Sequence, residues 1–156
     1  MSSSAVASAL SCRLVDTTDE LAAHHAVRHQ VFVRDQRLFV GNDRDERDLA
    51  PDTLHVIGFD DGTVVGAVRL YPLTAGYWQG DRLAVLPRAR VRHLGALLVR
   101  FAVATAGERG GHTMVARIQL ANVRFFEHLG WHRDGPPGPY HGVTHQPMAI
   151  PLRPGP

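Results

Sequence analysis

The sequence contains no lysine, a single cysteine and no long apolar run. The lone Cys12 cannot form a disulfide within the chain, which excludes a disulfide-stapled fold and fits a reducing compartment such as the cytoplasm. No apolar run approaches the roughly 20 residues that a membrane-spanning helix needs, so no membrane partner is expected. The first ten residues have neither a basic segment nor a long apolar core, and residues 1–9 are interpreted as a frayed tail.

What the sequence does contain indicates an ordinary globular protein. All 17 basic residues are arginines, and with 15 acidic residues the formal net charge is only +2. The arginines do not gather on one predicted face and no nucleic-acid-binding motif is present, so no nucleic-acid partner is expected. A length of 156 residues with 44% apolar content suits one domain, assigned to residues 10–152.

Hydrophobic patterning predicts a mixed α/β fold. Strands are predicted where short β-branched runs lie between turn residues, and helices where apolar residues recur at helical spacing. The turn Asp60-Asp61-Gly62 indicates a hairpin, and residues 72–80, with one Pro and two Gly, are predicted to be a loop. The predicted strands are 10–15, 54–59, 63–71, 82–87, 113–120 and 148–152, and the predicted helices are 19–36, 93–107 and 122–129.

Residues 82–101 combine a strand, an arginine-rich turn and the start of a helix. The backbone N–H groups of such a turn and of the first helical turn converge on one point, with the positive end of the helix dipole behind them. A phosphate or pyrophosphate fits there, and Gly95 lets it approach without a Cβ in the way. On this segment alone, an ordinary strand-turn-helix with a solvated arginine loop fits equally well.

The turn resembles the pyrophosphate loop of the GNAT superfamily of N-acetyltransferases, whose pattern is V-x-P-x-x-[QR]-x-x-G-x-[GA]. Val85, Pro87, Arg90 and Gly95 match this spacing, and His93 stands where the first glycine is usual. Further along, QLANVRFFEHLGW (119–131) is similar to the family's stretch around N-x-x-x-x-F-Y-E-x-L-G-F. The resemblance implies a GNAT-like mixed central sheet with splayed middle strands, flanked by helices.

The resemblance also implies an N-acetyltransferase that moves an acetyl group from acetyl-CoA to an amine by direct attack, without a metal. The middle strands are then expected to splay after residue 85, with the pantetheine arm in the gap and the pyrophosphate on main-chain amides of the turn. The acceptor is expected to be a small-molecule or peptide amine, and a homodimer fits the family. The implied cofactor-binding residues are Leu83, Val85, Arg90, Val91, Arg92, His93, Leu94, Gly95, Ala96, Asn122 and Phe126.

The sequence departs from the family at the residues that handle protons. Phe126 occupies the position where a tyrosine often protonates the thiolate, and residues 113–118 contain no carboxylate where a glutamate base is often found. His93, in place of glycine, is expected to be tolerated with a negative φ.

The C-terminal segment supplies other candidates for the proton chemistry. PYHGVTHQPM (139–148) resembles the G-[IV]-x-H-x-x-M ending of a small GNAT subgroup, with Gly142, Val143, His145 and Met148 in register. His145 is therefore predicted as the catalytic base and Tyr140 as the acid. A structural histidine at a strand end remains the alternative for His145.

Two other functions stay open. The segment Arg28-x-x-Val31-Phe32-Val33, the acids Asp45 and Asp48, and Val68-Arg69-Leu70-x-Pro72 are similar to the amino half of acyl-homoserine-lactone synthases. Those enzymes share the GNAT-like fold but use S-adenosylmethionine and an acylated carrier protein. The chain also fits a non-catalytic acetyl-CoA-binding module, which would release no free thiol in the presence of amines.

Two polar features are interpreted as surface. His25 and His29 lie at i, i+4 on a predicted helix, the spacing of two zinc ligands, but no third ligand is indicated, so a solvated helix face is favoured. The acids of residues 43–48 suggest a cationic acceptor, although an arginine-rich acidic loop is more often a solvated surface.

Overall fold

The computed structural model describes residues 9–154, apart from the side chains of Val91 and Arg92, so the predicted tail lies outside it except for Ala9. Within that range there are three α-helices, α1 (Thr18–Arg28), α2 (Leu94–Glu108) and α3 (Val123–His128). The first continues as a π-helix over His29–Asp35. The eight strands are β1 (Leu10–Leu14), β2 (Leu54–Asp60), β3 (Thr63–Pro72), β4 (Tyr77–Val85), β5 (Thr113–Gln119), β6 (His132–Arg133), β7 (Gly138–Tyr140) and β8 (Val143–Pro151).

All eight described strands belong to one sheet in the order β1-β2-β3-β4-β5-β8-β6, with β7 paired to β8. Every strand pair is antiparallel except β4 with β5, which is parallel. The predicted mixed α/β class is therefore confirmed. Across the described residues, no helix combines the length and the apolar character that crossing a membrane would require.

Two predicted boundaries are wrong. The loop expected at 72–80 ends early, because β4 begins at Tyr77 and the Trp78 side chain is buried in the core. The last strand begins at Val143, well before the predicted apolar segment 148–152. Its first residues are polar, and they join the sheet because His141 and Gly142, with φ values of 50° and 78°, form the turn of a β7–β8 hairpin.

The two long helices cover opposite faces of the sheet. Neighbouring residues of a strand point to opposite faces. A Cβ on Gly66 of β3 would lie 2.9 Å from side-chain carbons of Leu94 and Leu98, so α2 packs closely on this face. Ala67, the next residue, clusters with Val27 and other apolar residues of α1 and the π-helix on the other face. The glycine thereby fixes the start of α2 above the end of β4.

The middle of the sheet opens into a gap between β4 and β5. Among the described residues these strands pair only from Tyr77–Gln79 to Thr113–Val115, although both continue for several residues more. The β3–β4 register shifts between Ala67 and Arg69, and the facing Arg82 has a φ of 53°. Such a bulge increases local twist and turns β4 away from its neighbour. The splay thus begins after Gln79, and the expectation of a splay after residue 85 is wrong.

Candidate active site

A cavity of about 440 Å³ occupies the gap between β4 and β5. Its lining includes Gly80–Leu83 of β4 and Ala116–Gln119 of β5, so it passes through the sheet at the splay. On the α2 side the lining is apolar, with Val99, Ala102, Met114, Ile118, Phe126 and Trp131. The other side combines the apolar side chains of Phe32, Leu38 and Phe39 with the polar and charged residues Gln36, Asp45, Glu46, Arg47, Asp81, Arg82, Arg117, Tyr140, His141 and His145.

The arginine-rich turn adopts a geometry that exposes backbone amides. Pro87–Arg92 form a 3₁₀ helix, His93 has a φ of 66°, and α2 begins at Leu94. A left-handed residue between two right-handed segments makes a concave arrangement of N–H groups that suits an anion. The expected negative φ at His93 is wrong, because the chain must reverse its twist there. The left-handed conformation costs roughly 1–2 kcal/mol for a residue with a Cβ.

Gly95 is not required by the internal packing of the protein. A Cβ added there would lie 3.6 Å from Cζ of Phe125 and 3.9 Å from Cγ2 of Val85, which are ordinary contacts. The space beside Gly95 is therefore available to a ligand, and a side chain at this position would occupy it. This observation fits a phosphate group bound against the first turn of α2.

The predicted cofactor-binding residues divide into two groups. Leu83, Asn122 and Phe126 all line the cavity. The other predicted residues lie in or beside the turn. Those with described side chains are outside the cavity lining, namely Val85, Arg90, His93, Leu94, Gly95 and Ala96. The main chain of Val91 and Arg92 belongs to the 3₁₀ helix.

Some of these residues also have structural contacts of their own. The Val85 carbonyl accepts a hydrogen bond from Nε of Arg90 at 2.9 Å. The side chain of Leu94 is fully buried in the core, so only its main chain is placed to meet a ligand.

The structure brings the two predicted catalytic residues together. Tyr140 and His145 both line the polar half of the cavity, and their ring centroids lie 5.1 Å apart. Nδ1 of His145 donates to the Val143 carbonyl at 2.8 Å, and because a carbonyl only accepts, Nε2 keeps its lone pair in the neutral ring. The Tyr140 hydroxyl accepts a hydrogen bond from Nη1 of Arg82 at 2.9 Å, which leaves its own proton to donate.

A buried cluster of arginines and aspartates borders this half of the cavity, and the sequence did not predict it. Arg28 is fully buried and contacts Asp43 and Asp48, each at 2.7 Å. Arg69, also fully buried, contacts Asp45 at 2.6 Å and Asp81 at 2.8 Å. Arg82, the bulge residue, completes the cluster with contacts to Asp43 and Asp45. The acids of residues 43–48 are therefore not a simple solvated surface.

Two aspartates of the cluster, Asp45 and Asp48, stay ionised. Burial alone would raise the pKa of Asp48, but hydrogen bonds from His55 and Arg28 hold it well below its usual range. The pKa of Asp45 is lowered in the same way, with burial opposed by the hydrogen bond from Arg69. Each arginine thus faces negative charge at neutral pH, and the cluster ties α1, β3, β4 and the acidic segment together.

Three histidines pack beside the cluster. His24 is fully buried and its Nδ1 donates to the Val56 carbonyl at 2.9 Å, while His25 is 7% exposed. The predicted solvated face at His25 is therefore wrong. His25, Asp48 and His55 bring potential ligand atoms within 4.8 Å of one another, but the Asp48 carboxylate already accepts from Arg28 and His55. The expected absence of a metal stays a prediction.

Mild acid is expected to destabilise the fold through His24 and His25. Burial, reinforced by the charge of Arg28, lowers the pKa of His24 to about 2 and that of His25 to about 4. Below the ordinary histidine pKa of 6.5, these histidines bind protons in the unfolded chain but stay unprotonated in the folded chain. Stability is thus complete above pH 6.5 and falls toward pH 4, by about 1.4 kcal/mol per pH unit for each histidine.

Urea midpoints between pH 7.5 and 4.5 measure this effect. His25→Gln is expected to reduce the dependence by about half, because His24 still contributes, whereas His128→Gln, at an exposed position on α3, is expected to leave it unchanged. The lowered carboxylate pKa values act only below about pH 4 and do not contribute in this window. A wild-type midpoint that stays constant from pH 7.5 to 4.5 would refute the assignment.

Comparisons with known proteins agree with this geometry. Residues 16–131 match the Acetyltransferase (GNAT) family. The chain is 27% identical over 105 residues to the uncharacterized N-acetyltransferase YjcF of Bacillus subtilis (strain 168), covering 67% of this chain and 73% of YjcF. A crystal structure described as an N-acetyltransferase from Lactobacillus plantarum superposes with a TM-score of 0.82 at 21% identity, covering 92% of this chain and 99% of that one.

The fold is also shared with acyl-homoserine-lactone synthases. BjaI, a CoA-dependent synthase crystallised with SAM and isopentyl-CoA, superposes with a TM-score of 0.73 at 20% identity, covering 86% of this chain and 77% of that one. At this identity the likeness concerns the fold alone. The match over residues 16–131 spans well over half of the sequence and includes the turn and the gap. The chain therefore belongs to the GNAT acetyltransferase family and is an acyltransferase.

Proposed function

We propose that this enzyme transfers the acetyl group of acetyl-CoA to an amine by direct attack inside the gap between β4 and β5. The observation that supports this most is the cavity at the splay, which is apolar toward α2 and has its polar and charged residues on the side toward α1. An acyl thioester arm suits the apolar half, and an amine with its proton acceptor suits the polar half.

The cofactor is held mainly by the backbone in this proposal. Beyond Gln79, β4 does not pair with β5 in the described part of the chain, so an extended pantetheine arm has room to lie along Leu83 as an added strand would. The backbone amides from Val91 to Ala96 donate hydrogen bonds to the pyrophosphate, and Gly95, which has no Cβ, leaves room for it. Asn122 and Phe126 flank the arm from the α3 side of the cavity.

The proton steps fall to residues on the polar side. The amine nitrogen forms a bond to the acetyl carbon, the carbon–sulfur bond breaks, the ammonium proton passes to Nε2 of His145, and the thiolate takes a proton from Tyr140. The hydrogen bonds of both side chains favour these roles, since Nε2 is the free lone pair and the Tyr140 hydroxyl accepts from Arg82. Phe126, at the usual tyrosine position, has no proton to give.

The residues that resemble a lactone synthase have an explanation within the fold. Arg28, Asp45, Asp48 and Arg69 bond to one another in the buried cluster. Their spacing is therefore accounted for by mutual pairing, without a site for S-adenosylmethionine.

Release of free thiol from acetyl-CoA in the presence of a panel of amines tests the function. Release is expected to require both acetyl-CoA and an amine, and to be independent of any carrier protein. Binding of acetyl-CoA without thiol release from any amine would instead support a binding module. Release that needs S-adenosylmethionine and an acylated carrier protein would support a lactone synthase.

A further inference from the structure

We propose that the acceptor carries a carboxylate in addition to its amine, and that Arg117 binds that carboxylate. The inference rests on the proposed function and names the acceptor class for the same cavity. An amino acid, or a small molecule with both groups, is the chemistry that fits.

Most charged groups of the polar half already have a partner. Asp45 contacts Arg69 at 2.6 Å and Arg82 at 3.4 Å, and Asp81 contacts Arg69 at 2.8 Å. Arg69 and Arg82 hold these aspartates in ion pairs, and the buried cluster as a whole sets four aspartates against three arginines. Asp45 and Asp81 are therefore not free to bind the ammonium group of an acceptor.

Two arginines of the polar half have no carboxylate partner among the described residues. Within residues 9–154, Glu46, Arg47 and Arg117 line the cavity without an ion pair, which leaves two guanidiniums against one carboxylate. Arg117 lies over the Tyr140 ring with Cζ 5.2 Å from its centroid, and Arg47 lies over Tyr71 at 4.2 Å. Stacking restrains each guanidinium and leaves its N–H groups for a planar, bidentate acceptor such as a carboxylate.

The position of Arg117 relates the carboxylate to the reacting amine. The Tyr140 ring that contacts Arg117 also contacts His145, with 5.1 Å between the ring centroids. One aromatic ring thus separates the free guanidinium from the proposed base. A molecule that places its carboxylate on Arg117 can place an amine close to Nε2 of His145 when the two groups are only a few bonds apart. This arrangement positions the nucleophile as well as binding it.

Paired acceptors test the inference. Acetyl transfer is measured for phenylalanine against phenethylamine and for lysine against cadaverine, since each pair differs by one carboxylate. We expect the carboxylated member to have the higher kcat/KM by roughly 10- to 100-fold, as for a hydrogen-bonded charged pair. Arg117→Gln is expected to abolish the preference by raising KM for the carboxylated member of each pair more than for its decarboxylated partner.

Arg133→Gln is the matched control. Arg133 is an exposed arginine on β6 whose guanidinium lies 3.5 Å from Glu127, and it is not part of the cavity lining. This variant is expected to keep the preference. Equal or faster transfer to the decarboxylated amines by the wild type, or a preference that survives Arg117→Gln, would overturn the inference alone. Transfer to none of the four acceptors, while another amine of the panel releases thiol from acetyl-CoA, would overturn the inference and leave the proposed function standing. Thiol release with none of the amines would overturn both.

Discussion

Replacement of His145 by glutamine is expected to lower acetyl transfer by about 10²- to 10⁴-fold, the usual contribution of one positioned base. Glutamine retains polarity and approximate size at a position that is only 4% exposed, but its amide cannot take a proton from an ammonium. The loss is expected in kcat, because His145 meets the amine rather than the cofactor. Initial rates of acetyl transfer at saturating acetyl-CoA measure the change in kcat.

Two controls separate catalysis from folding. Acetyl-CoA affinity is expected to be nearly unchanged in His145→Gln, since the turn before α2 lies on the other side of the gap. His132→Gln, at an exposed position on β6, is expected to keep full turnover. Normal turnover in His145→Gln would show that water or another group takes the proton.

Replacement of Arg69 by methionine is expected to cost about 3–5 kcal/mol of stability, as for a buried ion pair that loses one partner. Methionine fills most of the space left by the fully buried arginine but leaves the carboxylates of Asp45, Asp48 and Asp81 without its charge. For a chain of this length, the Tm is expected to fall by roughly 6–20 °C. Thermal and urea unfolding of the purified variant measure the change.

The matched control is Arg133→Met. Its contact with Glu127 is exposed, with side-chain accessibilities of 62% and 43%, and such pairs contribute about 0–1 kcal/mol. A destabilisation by Arg69→Met no larger than that of Arg133→Met would contradict the structural role of the buried cluster.

The turn and the helix that follows it were predictable because their information is local. The match of Val85, Pro87, Arg90 and Gly95 to a known pattern lies within a few residues, and α2 begins one residue after the predicted start. The hairpin of β2 and β3 was likewise predictable, since the two residues Asp61 and Gly62 both adopt positive φ and set its turn.

The origin of the gap and the buried cluster were not predictable, because both depend on distant parts of the chain. Nothing in the segment around Arg82 indicates a left-handed residue in a strand, and this arginine bonds to Tyr140, 58 residues away. Arg69 sits in an apolar strand pattern, and only the fold places three aspartates around it. A buried arginine in such a pattern is a usable indication that acids from elsewhere converge on it.

Thermal melting with and without acetyl-CoA, in wild type and Gly95→Glu, tests most directly the claim that the gap and the turn bind the cofactor. At a hundred times its dissociation constant a ligand adds about 2.7 kcal/mol, which raises the Tm by roughly 5–10 °C here. Wild type is expected to show this shift with acetyl-CoA but not with NAD or ATP. Gly95→Glu is expected to fold and show none, since its carboxylate would lie where the phosphates bind.

Ala104→Glu, which adds the same charge to an exposed position of α2, is the control and is expected to keep the full shift. An unchanged shift in Gly95→Glu, or no shift of the wild type at millimolar acetyl-CoA, would contradict the account.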